Sequence, residues 1–600
     1  MIHAFCCLVP LAVSSAAGHA GAQVFVEPLG ELRERIHMVH NRLLSGDVPR
    51  FTDEFVLADV TLAPDYPRRF TEYSGDLSGR YIGAMALLPP AQGPDIDRLV
   101  AEAIGHQRSD GRFGNEALVF DPGQITGDHM ALLWGNGRLL VGLMEFYAVQ
   151  PEPRTLDAAR RLGDFLVGVQ AACANEDVTK RVQDLGAAGM ICFSQLVEGL
   201  VLLANATEDT RYLDAAERIL PWLPQERGQQ HSHGYLTTLR GVLLLFEATR
   251  KPDYLALVER LYGDLVRSSD LQVYGGVEEY FGGKGNRDEG CSEGDFIRLS
   301  LQLWRLTGNL EYLERAEHCL LNQFYANQFS TGDFGHHAYS PRGVVPVEGV
   351  GRAWWCCTMH GLRTFRDVLD AVVTERGEAL GINLFQEIRW SDGERTLVFQ
   401  RAPSGGGGFQ IVVEKAPVGG VRLALRRPHW AKRVMLTLDG TAIDAEEQDG
   451  YLNLPRAFRE NERIAVEFEC VTRLVTRGGR VLTPAELTDS PTEAALVYGP
   501  WVLGVDEAHD PLFFGEPWDG NQVLLEASLK ADGPDGRSWV ASGAHFPTQY
   551  IHEGFPGEHG VILRPFSERS TRVRCEDHVR NDTVHEPAAF AVFLAYRRAG

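Results

Sequence analysis

Between residues 25 and 375 the apolar positions recur with helical spacing, and they do so in pairs of segments. "GRLLVGLMEFYAV", "FSQLVEGLVLLA", "LTTLRGVLLLFEA" and "DFIRLSLQLWRL" are almost continuously apolar. Each is followed by a polar turn and an amphipathic stretch: "VQPEPRTLDAARRLGDFL", "NATEDTRYLDAAERILPWL", "EATRKPDYLALVERLYGDL" and "RLTGNLEYLERAEHCLLNQ", with equivalent leucines Leu156, Leu213, Leu255 and Leu313. Helical periodicity in both halves predicts an α-hairpin as the repeating unit. A helix apolar on every side cannot be buried by one partner, so stacked hairpins must run on as a solenoid or close into a ring. With "SGDLSGRYIGAMALL" before and "GLRTFRDVLDAVV" after, about six hairpins fit, the number that closes an (α/α)6 toroid. The apolar first helices form its inner ring.

After residue 380 the period changes to two. "RTLVFQRA", "FQIVVEKA", "VRLALRRP", "RVMLTLDG" and "RIAVEFEC" alternate between Gly, Pro and Asp turns, which predicts an antiparallel β-sandwich. The expected organisation is a multidomain chain, α then β: a toroid over residues 25–375, a sandwich over 380–475 and a second β region over 476–600. "PSGGGGF" at 403–409 has no helix after it and reads as a hairpin loop.

Composition narrows the partners. A formal net charge of -23 argues against nucleic acid and anionic membranes, both of which require a basic face. No segment reaches the 18 to 20 apolar residues of a membrane span. The start, "MIHAFCCLVPLAVSSAAGHAGAQ", has the short apolar run and small-residue "AGA" of a secretory signal over residues 1–22, although no Lys or Arg precedes the run. An extracytoplasmic location, periplasmic or secreted, is the expectation. Ten cysteines in 600 residues are too few for a disulfide-built fold.

The toroid makes a statement about position, because the loops entering its inner helices open on one rim. "TGDHMALLW" brings His129 there, "QQHSHGYLTT" brings His231 and His233, "NRDEGCSEGDF" brings Glu289 and Cys291, and "AWWCCTMHG" brings Cys356, Cys357 and His360. Taken alone, two adjacent cysteines read most simply as small buried hydrophobes, and a vicinal disulfide would be strained. Taken with Glu289 and Cys291, they supply three thiolates and one carboxylate, a complete tetrahedral set for Zn2+. A closed structural zinc site satisfies the same four ligands. The wide separation of the two ligand pairs in the chain is unlike a zinc-finger knuckle; such a site is assembled by the fold.

This series of motifs, "YGGVEEYF", "DEGCSE", "HAYSP", "WWCC", then "LRRPHW" and "DGYLNLPRAF", resembles the β-L-arabinofuranosidases of glycoside hydrolase family 127 over most of residues 30 to 500. The resemblance implies a zinc-dependent retaining exo-glycosidase that releases a terminal L-arabinofuranose or a related sugar from an oligosaccharide or glycoconjugate. It implies Cys356 as nucleophile, with Glu289, Cys291 and Cys357 beside it on the metal. It implies a glutamate of "GGVEEYF" as general acid/base, Glu279 by the Glu-x-Phe order with Glu278 in reserve. Tyr339 and His233 match sugar-contacting residues more loosely, and His129 joins them as a rim histidine. The chain departs from the family pattern in having Thr358, Met359 and His360 where Pro-Pro-Asn usually follows the cysteine pair, and Gln195 near where an inner-helix histidine is usual. Two other readings stand beside this one: a non-catalytic carbohydrate-binding protein with a structural zinc, and an (α/α)6 glycosidase or lyase that uses carboxylates alone. Oligomeric state is not written in the pattern.

Overall fold

The computed structural model describes residues 12–13, 24–48, 50–62, 72–283, 287–340, 343–345, 351–402, 408–514, 522–525, 544–548, 557–577 and 582–598. The expected signal at 1–22 lies almost wholly outside these, as does most of the 403–409 loop.

Six helices form a closed inner ring: α1 (Asp76–Leu87), α2 (Gly127–Val149), α3 (Leu196–Thr207), α4 (Ser232–Thr249), α5 (Gly290–Thr307) and α6 (Trp355–Val372). Each packs on the next, and α6 returns to α1. Helices at Gly30–Leu44, Ile96–Gly105, Pro153–Gly168, Thr210–Ile219, Pro252–Val266 and Leu310–Cys319 form the outer layer. The expected α-then-β architecture with an (α/α)6 toroid is what the chain adopts. The continuous apolarity of the inner segments has the predicted meaning: α2 is buried without interruption from His129 to Met144. The outer helices are two-faced, and all but the first start at side-chain caps, Asp95, Asp209 and Asn309, or at a proline in the first turn. Of the four equivalent leucines only Leu313 is fully buried; Leu156, Leu213 and Leu255 edge the buried face.

Glycines set how closely the first two inner helices approach. A Cβ at Gly142 of α2 would lie 2.1 Å from the Gly79 carbonyl oxygen of α1, and one at Gly79 would lie 2.5 Å from the Leu139 Cα. The backbones touch, so no side chain fits between them.

The ring is also joined by buried charge in chain order. Arg138 of α2 donates to Glu198 of α3 at 2.8 Å, Glu198 pairs with Arg240 of α4 at 3.2 Å, and Arg240 pairs with Asp295 of α5 at 3.1 Å. His360 of α6 meets the same Asp295 at 3.0 Å. Arg363 of α6 then returns to Glu145 of α2.

The sandwich packs strands Val24–Pro28, Ile388–Ser391, Thr396–Arg401, Phe409–Lys415, Arg463–Cys470 and Ala431–Leu438, antiparallel and adjacent in that order, against a smaller sheet. Two details were not visible in the period-two pattern. The segment entering the first outer helix, Val24–Pro28, lies in the sheet between Ala12–Val13 and Ile388–Ser391, and the smaller sheet contains a parallel pair, Arg422–Arg426 with Ala379–Ile382. The C-terminal strands reach back to the toroid. Phe590–Ala591 pair with Gly343–Val344 and Val584 pairs with Arg352, while the His585 ring stacks on Phe329 at 3.7 Å. The loop leading into α6 is therefore clamped by the end of the chain.

Two outcomes follow. Gly142→Ala should cost about 1–3 kcal/mol in urea unfolding, the usual price of overpacking, whereas Gly168→Ala, with nothing within 4 Å of its added Cβ, should stay within about 0.5 kcal/mol. His40, whose Nε2 bonds the Leu88 carbonyl at 2.9 Å, has its pKa lowered to about 4 by burial. Its contribution is intact above the unfolded value of about 6.5 and is lost as pH falls toward 4, because the unfolded chain binds the proton first, a loss of roughly 3 kcal/mol. The decline in melting temperature between pH 6.5 and 4 should be shallower in His40→Gln.

Candidate active site

The N-terminal ends of the inner helices converge on one rim, and the chemistry collects there because of how those helices begin. Glu289 is the N-cap of α5, and Cys291 follows in its first turn. Trp354 caps α6, and Cys356 and Cys357 occupy its first turn. His231 caps α4, with His233 two residues on. First-turn amides lack intrahelical partners and carry the positive end of the helix dipole, so two helices offer their electropositive ends to the three sulfurs.

The ligand atoms of Glu289, Cys291, Cys356 and Cys357 all lie within 4.8 Å of one another, and all four residues are buried. Cys357 Sγ is 3.7 Å from Cys291 Sγ and 4.0 Å from Cys356 Sγ, and none of the three is disulfide-bonded. Sulfurs each about 2.3 Å from a tetrahedral centre stand about 3.8 Å apart. The spacing and the donor set, three sulfurs and one carboxylate oxygen, fit a single four-coordinate cation.

The surroundings are ordered from outside. Ser292 Oγ donates to Glu289 Oε2 at 2.9 Å, and His231 Nε2 meets the same oxygen at 3.2 Å. Arg80 of α1 donates from Nη1 to Cys291 Sγ at 3.8 Å and from Nη2 to His233 Nε2 at 2.7 Å, with its Nε on Asp76 at 2.6 Å. Trp134 Nε1 steadies Asp76 at 3.1 Å. Burial opposes ionisation of all three thiols. The neighbouring cysteines and the Arg80 guanidinium nevertheless hold Cys356 well below the ordinary thiol range, while burial and the Cys356 sulfur push Cys291 and Cys357 above it. Burial disfavours the Glu289 carboxylate too, but His231 outweighs it and keeps the group well below the usual range.

Beneath lies a second group, His233, Asp295 and His360, with ligand atoms also within 4.8 Å of one another. Asp295 Oδ2 meets His233 Nδ1 at 2.5 Å and accepts from Thr237 at 2.8 Å, while Oδ1 meets His360 Nε2 at 3.0 Å and accepts from Arg240 at 3.1 Å. Two guanidiniums, Arg240 on Asp295 and Arg80 on His233, occupy the flanks of this group, which makes it a hydrogen-bonded support rather than a natural cation seat. Thr358, the first residue of the departure after the cysteine pair, accepts from the Phe334 amide at 3.1 Å. Gln195 accepts from Arg138.

The adjacent glutamates face opposite ways. Glu279 is buried, accepts from Arg287 Nη2 at 2.7 Å and also from its Nε, and lies close enough to raise the His231 pKa together with Glu289 and Cys356. Glu278 turns toward Gln272 and Asp270, and burial raises its pKa. Tyr280 packs on His231 at 5.2 Å between ring centres. Tyr339 lies behind the rim against Tyr274. His129 takes the N3 place of the capping box at the start of α2, with one ring nitrogen toward Thr126 and the other 3.1 Å from the Val119 carbonyl.

Sequence reasoning brought the four ligands together but did not single out Asp76, Arg80, Asp295 or Arg287. The first three had a signal, a charged residue inside a helix that must be buried on all sides. Arg287 had none.

The chain is thus a helical toroid with a polar rim, continued by a β-sandwich. The profile described as "Beta-L-arabinofuranosidase, GH127 catalytic domain" matches residues 83–370, and the "GH127 middle domain" profile matches 379–470. The chain belongs to glycoside hydrolase family 127, and it is a glycoside hydrolase. No curated protein matches it. Among solved structures it is similar to the β-L-arabinofuranosidase Ara127N of Geobacillus stearothermophilus T6, with TM-score 0.68 and 14% identity over 95% of this chain and 100% of that one. A GH127 β-arabinofuranosidase superposes with TM-score 0.65 and 14% identity over 95% and 98%, and a structure titled glycoside hydrolase with 0.64 and 15% over 98% and 100%. No described helix is long and apolar enough to cross a membrane.

Asp295→Ala strands Arg240 and two histidines in a buried site and should cost about 3–5 kcal/mol in guanidinium unfolding. A loss below about 1 kcal/mol would mean that the network bears little of the ring's stability.

Proposed function

We propose that the chain is a zinc-dependent retaining exo-glycosidase that releases terminal L-arabinofuranose or a closely related sugar, acting outside the cytoplasm. The observation that carries this reading is the gathering of three sulfurs and one carboxylate from two helix starts into one tetrahedral set. Glu289, Cys291, Cys356 and Cys357 would hold the ion. When bound, Zn2+ favours thiolates over thiols and neutralises part of the buried charge.

Cys356 serves as nucleophile. Its thiolate forms a C–S bond at the anomeric carbon as the glycosidic C–O bond breaks, and Glu279, protonated, gives its proton to the departing oxygen. Glu279 as carboxylate then takes a proton from water, whose oxygen forms the new C–O bond as the C–S bond breaks and the thiolate returns. Cysteine thus replaces the second carboxylate of the usual retaining pair. Glu279 is favoured over Glu278 because its carboxylate lies near His231, which meets the ligand Glu289, and Arg287 steadies it between proton transfers. His233, tied to Arg80 and Asp295, offers a fixed group at the floor of the sugar site, and Tyr339, packed on Tyr274, is the second candidate for contact with the sugar. His129 braces the loop at the mouth, since both ring nitrogens serve that loop.

The readings as a binding protein with structural zinc and as a carboxylate-only enzyme make opposite forecasts. Glu279→Gln should retain metal and lose at least 100-fold in kcat on substrates with poor leaving groups, the scale of general acid catalysis. Cys356→Ser should fold and be inactive, while Cys291→Ser and Cys357→Ser should lose metal and activity together. Peptide mass spectrometry of parent enzyme quenched during turnover should find one pentose on Cys356. Hydrolysis by Cys356→Ser at the parent rate would remove the cysteine from the mechanism.

A further inference from the structure

A cavity lies where the toroid, the sandwich and the C-terminal sheet meet. It encloses about 320 Å³ and is walled by three parts of the chain that meet there. The toroid gives Glu317, Leu321 and Tyr325, the sandwich gives Phe385, Phe409, Trp430 and Phe468, and the C-terminal sheet gives Tyr498 and Trp501. None of the residues gathered at the rim lines it.

We propose that this junction is a non-catalytic binding site for a neutral saccharide. Its size falls at the lower end of the range for small-molecule sites, and such sites favour junctions between domains. One wall is a continuous aromatic surface, with Phe468 4.7 Å from Phe385 and 4.9 Å from Trp430, and Phe409 5.9 Å from Phe385. Ring faces of this kind take the C–H face of a sugar, while polar groups fix its hydroxyls. The polar groups in the lining include Gln386, Ser567 and three carboxylates matched with cations. Arg401 lies between Glu31 at 3.3 Å and Glu387 at 3.6 Å, and Glu317 accepts from Arg426 at 2.5 Å and from Trp430 Nε1 at 2.8 Å. A carboxylate held by two donors still keeps further lone pairs for a hydroxyl. Charge pairing leaves no surplus cation to draw an anionic ligand, and the net charge of -23 opposes one. A neutral polyol meets aromatic faces and acceptors at no electrostatic cost. In a glycoside hydrolase, such a site holds a distant part of a glycan chain and raises its concentration near the rim.

The test uses an array of neutral and acidic oligosaccharides, read with full-length parent protein and with Cys356→Ser. Two variants address the cavity: Trp501→Ala removes a wall, and Ser567→Trp fills the space beside it while keeping every lining ring. The expected result is retention of neutral oligosaccharides by parent and Cys356→Ser, with affinity at least tenfold weaker in both cavity variants and an unchanged unfolding midpoint in at least one. Hydrolysis of a small nitrophenyl arabinofuranoside by the cavity variants should equal the parent's. Equal glycan affinity in both variants, preference for acidic chains, or no retained glycan overturns the proposal. A change in sedimentation without a change in glycan binding also overturns it and assigns the cavity to self-association. Binding needs no turnover, so this result is independent of the cysteine mechanism.

Discussion

Three thiols and a carboxylate buried within 4.8 Å of one another are an electrostatic liability on which the rest of the architecture bears. Like charges at such separations in a poorly solvated site repel strongly, and desolvation adds to the cost. The fold answers with oriented dipoles and fixed cations. Cys291, Cys356 and Cys357 sit in the first turns of α5 and α6, the electropositive ends of those helices, and Arg80 approaches Cys291 while being held by Asp76 and His233. A divalent ion at the centre would complete that compensation.

The same need organises the ring interior. An ordinary apolar core would close six helices by packing alone, as α1 and α2 do at Gly79 and Gly142. Here Arg138, Glu198, Arg240, Asp295 and His360 add a charged belt that passes from α2 to α6. Buried ion pairs contribute modestly to net stability, but removing one member is costly. The belt fixes the rotation of α2 to α6, and that rotation decides which first-turn side chains meet at the rim. Closure by the chain's end has a similar consequence, since strands at Val584 and Phe590 anchor the loop before Cys356.

Much of this was legible in the sequence. Helix–turn–helix periodicity contained the toroid because an all-round apolar helix has few ways to be buried, and the change to period two marked the sandwich. The rim ligands could be grouped because each sits just where an inner helix begins. The strand at Val24–Pro28 escaped, as five residues carry too little periodicity to be assigned to a sheet more than 350 residues away. Arg287 escaped because a loop arginine looks the same whether it faces water or Glu279. The roles of Thr358 and His360 depended on partners at Phe334 and Asp295, contacts that no local spacing encodes.

The central claim, that the four rim ligands form one cation site, is tested most directly by zinc K-edge X-ray absorption on the purified full-length protein. One equivalent of zinc with three sulfurs at about 2.3 Å and one oxygen at about 2.0–2.2 Å is the predicted shell. Protein that folds with no zinc after growth and dialysis in zinc-containing buffer, or a shell dominated by nitrogen and oxygen, would contradict it.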